Sequence, residues 1–198
     1  MVAATRYFEV MARNNAWANE RLLTACAQLS DADFIAPRTG FFPSIMATLN
    51  HILVVDWFYV DALEGGTLGP DAWRDETPCQ TAQRLRMAQQ AVDRRLIDYC
   101  TGLKDAQLGD LVEMHRGTRI QTDRVDRVLL HLFQHQVHHR GQAHGMLSAT
   151  GIHPPQLDEF FVAEDAPLRT DEFQRLGWRE DEIWQDFDPP RQTTKKPA

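Results

Sequence analysis

Cysteine is scarce in this chain: Cys26, Cys79 and Cys100 are the only three, widely spaced and with no Cys-x-x-Cys pair. An odd, scattered set argues against a disulfide framework and for a reducing, cytoplasmic compartment. Positive charge is also short. Lys and Arg number 21 against 28 Asp and Glu, a formal net charge of −7. Phosphate contacts need clustered Lys and Arg, so no nucleic-acid partner is expected, and a basic membrane-surface helix is excluded on the same ground. The opening MVAATRYFEVMARNNAW has no basic region followed by an apolar one, so no secretory leader is expected. No long apolar run is uninterrupted. The most apolar stretch, Ile45 to Leu63, contains His51, Asp56 and Asp61, which makes it a buried helix rather than a membrane span. A phosphate loop is missing too, since Gly65-Gly66 and Gly69 lack the following Lys-Ser/Thr. No serine sits in a Gly-x-Ser-x-Gly elbow.

Histidine, in contrast, is concentrated. Of 8 in the chain, His131, His135, His138, His139 and His144 fall in one short segment, where an even spread would put fewer than one.

Hydrophobic periodicity predicts four long helices. The first covers 5–29, with Tyr7, Phe8, Val10, Met11, Trp17, Leu22 and Leu23 at three-to-four spacing. Ser30-Asp31-Ala32-Asp33 reads as its stop and turn, and Pro37, Gly40 and Pro43 continue the loop. The second starts at Ser44, an N-cap residue, and stops at Gly65-Gly66. It is apolar nearly all round and should be the most buried. The third spans 81–101 with Gly102 as its C′ residue. Residues 103–121 read as a hairpin or an irregular crossover. The fourth covers 123–150, ended by Gly151 and Pro154-Pro155. Residues 168–187 should hold one or two short helices, and the last ten, PPRQTTKKPA, should be disordered. Four long helices with one long connection give an all-α fold class, a four-helix bundle over 1–160 with a short, partly helical C-terminal extension over 161–198.

The fourth helix carries the chemistry. Val128, Leu132, His135, His139, Gln142 and Met146 follow steps of four and three, the line a bundle helix turns to the core. His135 and His139 therefore sit where leucines would otherwise go. An i, i+4 pair lies one turn apart on one face, and both imidazoles can reach one ion at ~2.0–2.1 Å. A third ligand must come from elsewhere. His51, in the middle of Asn50-His51-Ile52-Leu53-Val54-Val55, is the one other histidine a core would bury, because His115 and His153 fall in loops. Taken alone, His51 is more often a hydrogen-bonded core residue. Two imidazoles on one seam are harder to satisfy without an ion. Three imidazoles leave a position for water or substrate, as catalytic metal sites do. His131, His138 and His144 read as solvated groups or as groups orienting the ligands, and His131 or His138 is also a candidate fourth ligand. Gln142 could line the site. Arg140 points elsewhere, more simply as an ordinary surface or interhelix salt bridge than as a partner of Asp56. Asp56 is five residues from His51, so roughly 140° round that helix and poorly aimed at the same pocket. Trp17 and Trp57 are better read as core than as pocket.

These residues also resemble a known family. LLHLFQHQVHHRGQAHGML (129–147) is similar to the last-helix signature of the DinB/YfiT-like superfamily, NAWANERLL (15–23) to its first-helix motif, and SIMATLNHILVVDWFYVDALEG (44–65) to its second. Order and spacing agree over about residues 5–160. The resemblance implies an up-down-down-up bundle and a mononuclear divalent metal held by His51, His135 and His139. It also implies a frequent homodimer, and a thiol S-transferase or isomerase activity, on a small-molecule substrate, that uses a low-molecular-weight thiol. Zn²⁺ or Ni²⁺ suits such imidazoles. Metal-dependent hydrolysis and a non-catalytic, metal-binding stress-response role are the alternatives. Nothing is carried over onto residues beyond 160.

Overall fold

The computed structural model describes residues 2–187; the expected disordered tail lies outside them. Helix α1 spans Ala4–Cys26, α2 Asp31–Ile35, α3 Ile45–Leu63, α4 Ala82–Gly102 and α5 Val125–Leu147. Two strands, β1 (Leu111–His115) and β2 (Ile120–Arg124), stand between α4 and α5, and α6 (Thr170–Leu176) and α7 (Glu180–Trp184) follow. The starts of α3 and α4 have a sequence reason. Ser44 Oγ accepts from Ala47 N and starts α3, and Thr81 Oγ1 accepts from Arg84 N and starts α4. Two local expectations are corrected. Ser30-Asp31-Ala32-Asp33 does not merely stop a helix: Ser30 accepts from Asp33 N and caps the short α2. Gly102 is the last residue of α4 with Leu103 as the cap, and it is not among the glycines of positive φ. The ambiguous stretch before α5 is an antiparallel hairpin, Met114 opposite Gln121. Its turn is held by Arg116 N donating to Arg119 O at 2.8 Å, with Gly117 at φ 79°.

Side-chain pairs give the helix directions. Along α1, Thr5 N meets Asp105 just past α4, Asn15 and Asn19 meet Asp93, and Glu20 meets Arg86, so α1 and α4 are antiparallel. Asn50 meets Cys79, Asp56 meets Gln89, and Glu64 meets Arg95, so α3 and α4 run parallel. Thr48 meets Met146, His51 meets His135, and Tyr59 meets His131, so α3 and α5 are antiparallel. The order is up-down-down-up, and the long crossover is the 64–81 segment that returns the chain between parallel neighbours.

The core holds Trp17, Leu22, Leu53, Phe58, Leu96, Leu129, Leu132 and Leu147, all essentially inaccessible. Each such side chain contributes roughly 1.5–3 kcal/mol by leaving water. Trp17 is core, as read from the sequence, and Trp57 packs partly buried against it.

A polar layer crosses this apolar interior. Asn15, Asn19, Asp56, Gln89, Asp93, Gln136 and Arg140 are all buried. Arg140 is thus not on the surface. Its Nη1 donates to Asn15 Oδ1 and, at 3.0 Å, to Asn19 Oδ1. The two asparagines donate in turn to Asp93, and Gln89 Nε2 donates to Asp93 at 3.1 Å and to Asp56 at 2.7 Å. Burial, then the neighbouring Asp93 charge, pushes Asp56 well above the carboxylate range. Burial raises Asp93 to about 6 and lowers Arg140 to about 10.

Residues Ala4–Leu157 form one compact unit, and a second begins at Asp158. The second unit is organised around Arg169, which is fully buried. Its guanidinium donates to Glu159 O and Val162 O, pairs with Glu180, and lies 5.6 Å from the Phe173 ring centre. Trp184 Nε1 donates to the same Glu180 at 3.0 Å.

Candidate metal centre

Capping at Ser44 sets His51 two turns into α3, and the four-residue spacing on α5 stacks His135 over His139. Antiparallel packing brings the three together. One ring nitrogen from each lies within 4.8 Å of the other two. His51 Nε2 and His135 Nε2 are 3.0 Å apart, and the ring centres of His135 and His139 are 4.4 Å apart. His139 is buried, while His51 and His135 are half-buried.

The rings are neutral at neutral pH. Burial, reinforced by His139, lowers His51 to about 4. Burial and then the four neighbouring imidazoles lower His135 to about 3, and burial lowers His139 as well. His51 Nε2 and His135 Nε2 at 3.0 Å are close enough for one neutral ring to donate to the other, and an ion bound by both would replace that hydrogen bond. Gln142 selects the tautomer of His139: its Oε1 is 2.9 Å from Nδ1, so Nδ1–H donates and Nε2 keeps its lone pair for the cluster. The other end of Gln142 stands 3.0 Å from His138 Nε2. His135 Nδ1 is buried with no hydrogen-bond partner among the described residues, which leaves that ring held by packing and by whatever its Nε2 binds. This donor set fits a borderline divalent ion.

Neither His131 nor His138 belongs to the group of three, and no fourth protein ligand joins it among the described residues. His144 Nε2 is tied to Pro155 O at 2.9 Å, and His115 ends β1. Asp56 is turned to α4, as its angle from His51 implied. All three cysteines are buried and unpaired, and burial pushes the Cys26 and Cys100 thiols up to about 12. Neither is a nucleophile at neutral pH.

Sequence reasoning missed an aromatic flap. Phe42 lies 4.4 Å from the His51 ring centre and 5.6 Å from that of His139, and Phe41, 78 % exposed, stands 6.3 Å from His139. A Cβ at Gly40 would fall 2.1 Å from Met146 Cε, the free end of a side chain that would have to swing aside. In the sequence Pro37, Gly40 and Pro43 marked this segment only as a loop.

A family model described as DinB family matches residues 1–176. The chain belongs to the DinB family. It is 26 % identical over 123 residues to the uncharacterized protein YizA of Bacillus subtilis, covering 62 % of this chain and 75 % of that protein. The fold is similar to the crystal structure of a DinB-like protein from Bacillus cereus, with a TM-score of 0.58 at 15 % identity over 73 % of this chain and 91 % of that one. The DinB fold thus accounts for the bundle, and the three-histidine cluster is compatible with a metal-binding protein. No helix among the described residues is long and apolar enough to cross a membrane.

Proposed function

We propose that this DinB-family protein is a metalloenzyme in which His51, His135 and His139 hold one Zn²⁺ or Ni²⁺, and that it transfers a low-molecular-weight thiol to a small electrophile. The observation that carries the reading is a cluster of three neutral imidazoles with no carboxylate and no fourth protein ligand among the described residues. Such a set leaves the ion's charge uncompensated and a coordination position for substrate. The ion would supply the Lewis acidity that keeps a thiol deprotonated at neutral pH. The thiol proton passes to solvent. Its sulfur then bonds to the electrophilic carbon, and the leaving group departs with the bonding pair. Phe41 and Phe42 shield the approach, and Gln142 holds the His139 ring in the ligating tautomer.

The hydrolytic alternative has less support, because water attack wants a general base and no carboxylate joins the cluster. Elemental analysis of untagged protein, followed by turnover assays with a panel of thiols and electrophiles, tests the reading. A metal-loaded protein that consumes ester or amide substrates but no thiol would move it to the hydrolases. A loaded protein inert to both would make it a metal-binding stress protein.

A further inference from the structure

The inner side of strand β1 carries Val112 and Met114, and Arg116 follows on the same alternation just past the strand, where the turn begins. The first two are buried against the bundle, and Arg116 continues that side where another apolar residue would fit. Its guanidinium lies 4.3 Å from the Phe58 ring centre and donates from Nη2 to Tyr59 Oη at 3.1 Å and from Nε to Gln121 Oε1 at 3.2 Å. The half-buried Arg6, Arg13, Arg86 and Arg95 each pair with a carboxylate. Half-buried Arg38 donates to the Asp33 carbonyl, and half-buried Arg116 has no carboxylate among the described residues, in a chain with seven more acids than bases. Tyr59 Oη accepts from Arg116 and keeps its own hydrogen to donate. The Tyr59 ring is 5.2 Å from exposed His131, and His131 is 6.3 Å from His135. A row of donors (Nη1 of Arg116, the Tyr59 hydroxyl, a His131 ring N–H) therefore leads along the α3–α5 side to the histidine cluster.

We infer that Arg116, Tyr59 and His131 form a carboxylate subsite that holds the anionic end of a small substrate whose other end reaches His51, His135 and His139. One unpaired guanidinium balances one negative charge, which suits a carboxylate better than a phosphate dianion, and its planar fork matches two carboxylate oxygens. The stacking on Phe58 and the bond to Tyr59 hold the fork before any ligand arrives. For the metal end alone, the inference rests on the proposed thiol chemistry: the substrate class is a carboxylate-bearing thiol.

The test uses the full-length, zinc-loaded protein and ω-mercapto acids of three, six and eight carbons with their matching amides, titrated by calorimetry. At one chain length the acid should bind roughly tenfold tighter than its amide, the scale of a charge-assisted hydrogen bond. Arg116→Gln should bring that ratio to about one, and Tyr59→Phe, which leaves the guanidinium in place, should lower it part-way. Should Arg116→Gln not fold, Arg116→Lys reads the same contrast with a point charge lacking the fork. Equal affinities for acid and amide at every length, no binding of any acid, or a preference that survives Arg116→Gln overturns the subsite. Repeating the titration on cobalt-loaded protein separates the two readings. An acid preference without a sulfur-to-cobalt charge-transfer band removes the thiol chemistry and leaves the subsite standing.

Discussion

His51 Nε2 and His135 Nε2 face each other at 3.0 Å across residues 84 apart in sequence. Two nitrogens bonded to one tetrahedral ion at ~2.0–2.1 Å lie roughly 3.4 Å apart, so a few tenths of an ångström of ring movement admits the ion. Untagged protein should therefore carry about one equivalent of metal, and His51→Ala or His135→Ala should leave less than ~0.2 equivalents, since two imidazoles bind weakly. His144→Ala should retain the metal, because His144 is engaged with Pro155. Elemental analysis of the three variants decides it, and equal loss in all three would mean that the ion is held elsewhere.

Metal uptake should release few protons. With His51 at about 4 and His135 at about 3, neither carries a proton to lose at pH 6.5. Calorimetric enthalpies of zinc binding in two buffers of different ionisation enthalpy should nearly coincide there, whereas free imidazoles would each release a proton in part. In the metal-free chain these residues also make folding acid-sensitive. Unfolded histidines take up protons near pH 6.5 while the folded ones resist, so their contribution to stability declines as pH falls from 6.5 toward 4 and 3.

Gln142→Ala removes the acceptor that fixes the His139 tautomer. Loss of such a partner typically weakens metal affinity 10- to 100-fold. Competition with a chromophoric chelator should show that drop with little change in the denaturation midpoint, as Gln142 is only half-buried. An unchanged affinity would show that packing alone orients the ring.

Asp93 is the carboxylate that acts most strongly on buried Arg140, and its truncation removes that counter-charge. Asp93→Ala should cost roughly 3–5 kcal/mol in denaturant unfolding. The pH dependence has the opposite sign to that of the histidines. Because the folded carboxyl is raised to about 6, the native state binds the extra proton, and this group's contribution declines as pH climbs from about 4 to 6. Asp93→Asn should flatten that part of the stability profile. A profile identical to that of the native chain would place the titration on another group.

The histidine line on α5 was legible because a period of 3.6 is written in the spacing of Val128, Leu132, His135, His139, Gln142 and Met146, and His51 because an apolar stretch surrounds it. The cap at Ser44 was legible because a serine stands directly before the apolar stretch, whereas Thr81 was read as the first residue of its helix and is its cap. Arg140 was not. Besides Gln136 one turn back, its acceptors are Asn15 and Asn19, more than 100 residues away on another helix, and no local pattern announces a guanidinium partnered at that distance. Phe41 and Phe42 lie in a loop with no periodicity to read, and only the tertiary packing brings them beside His51 and His139. The hairpin stayed ambiguous because five-residue strands carry too few alternations to separate from irregular chain.

His139 and Arg140 are consecutive on α5, yet one serves an open cluster and the other a dry interior. A helix turns about 100° per residue, so the two side chains fix the rod's rotation about its own axis from nearly perpendicular directions. Twisting α5 enough to re-aim the imidazoles would drag a guanidinium away from Asn15 and Asn19 and strand its charge in hydrocarbon. The angular setting of the histidines is thereby locked by a neighbour that never touches substrate, and efforts to retune the centre by repacking α5 will have to replace Arg140 together with its buried partners.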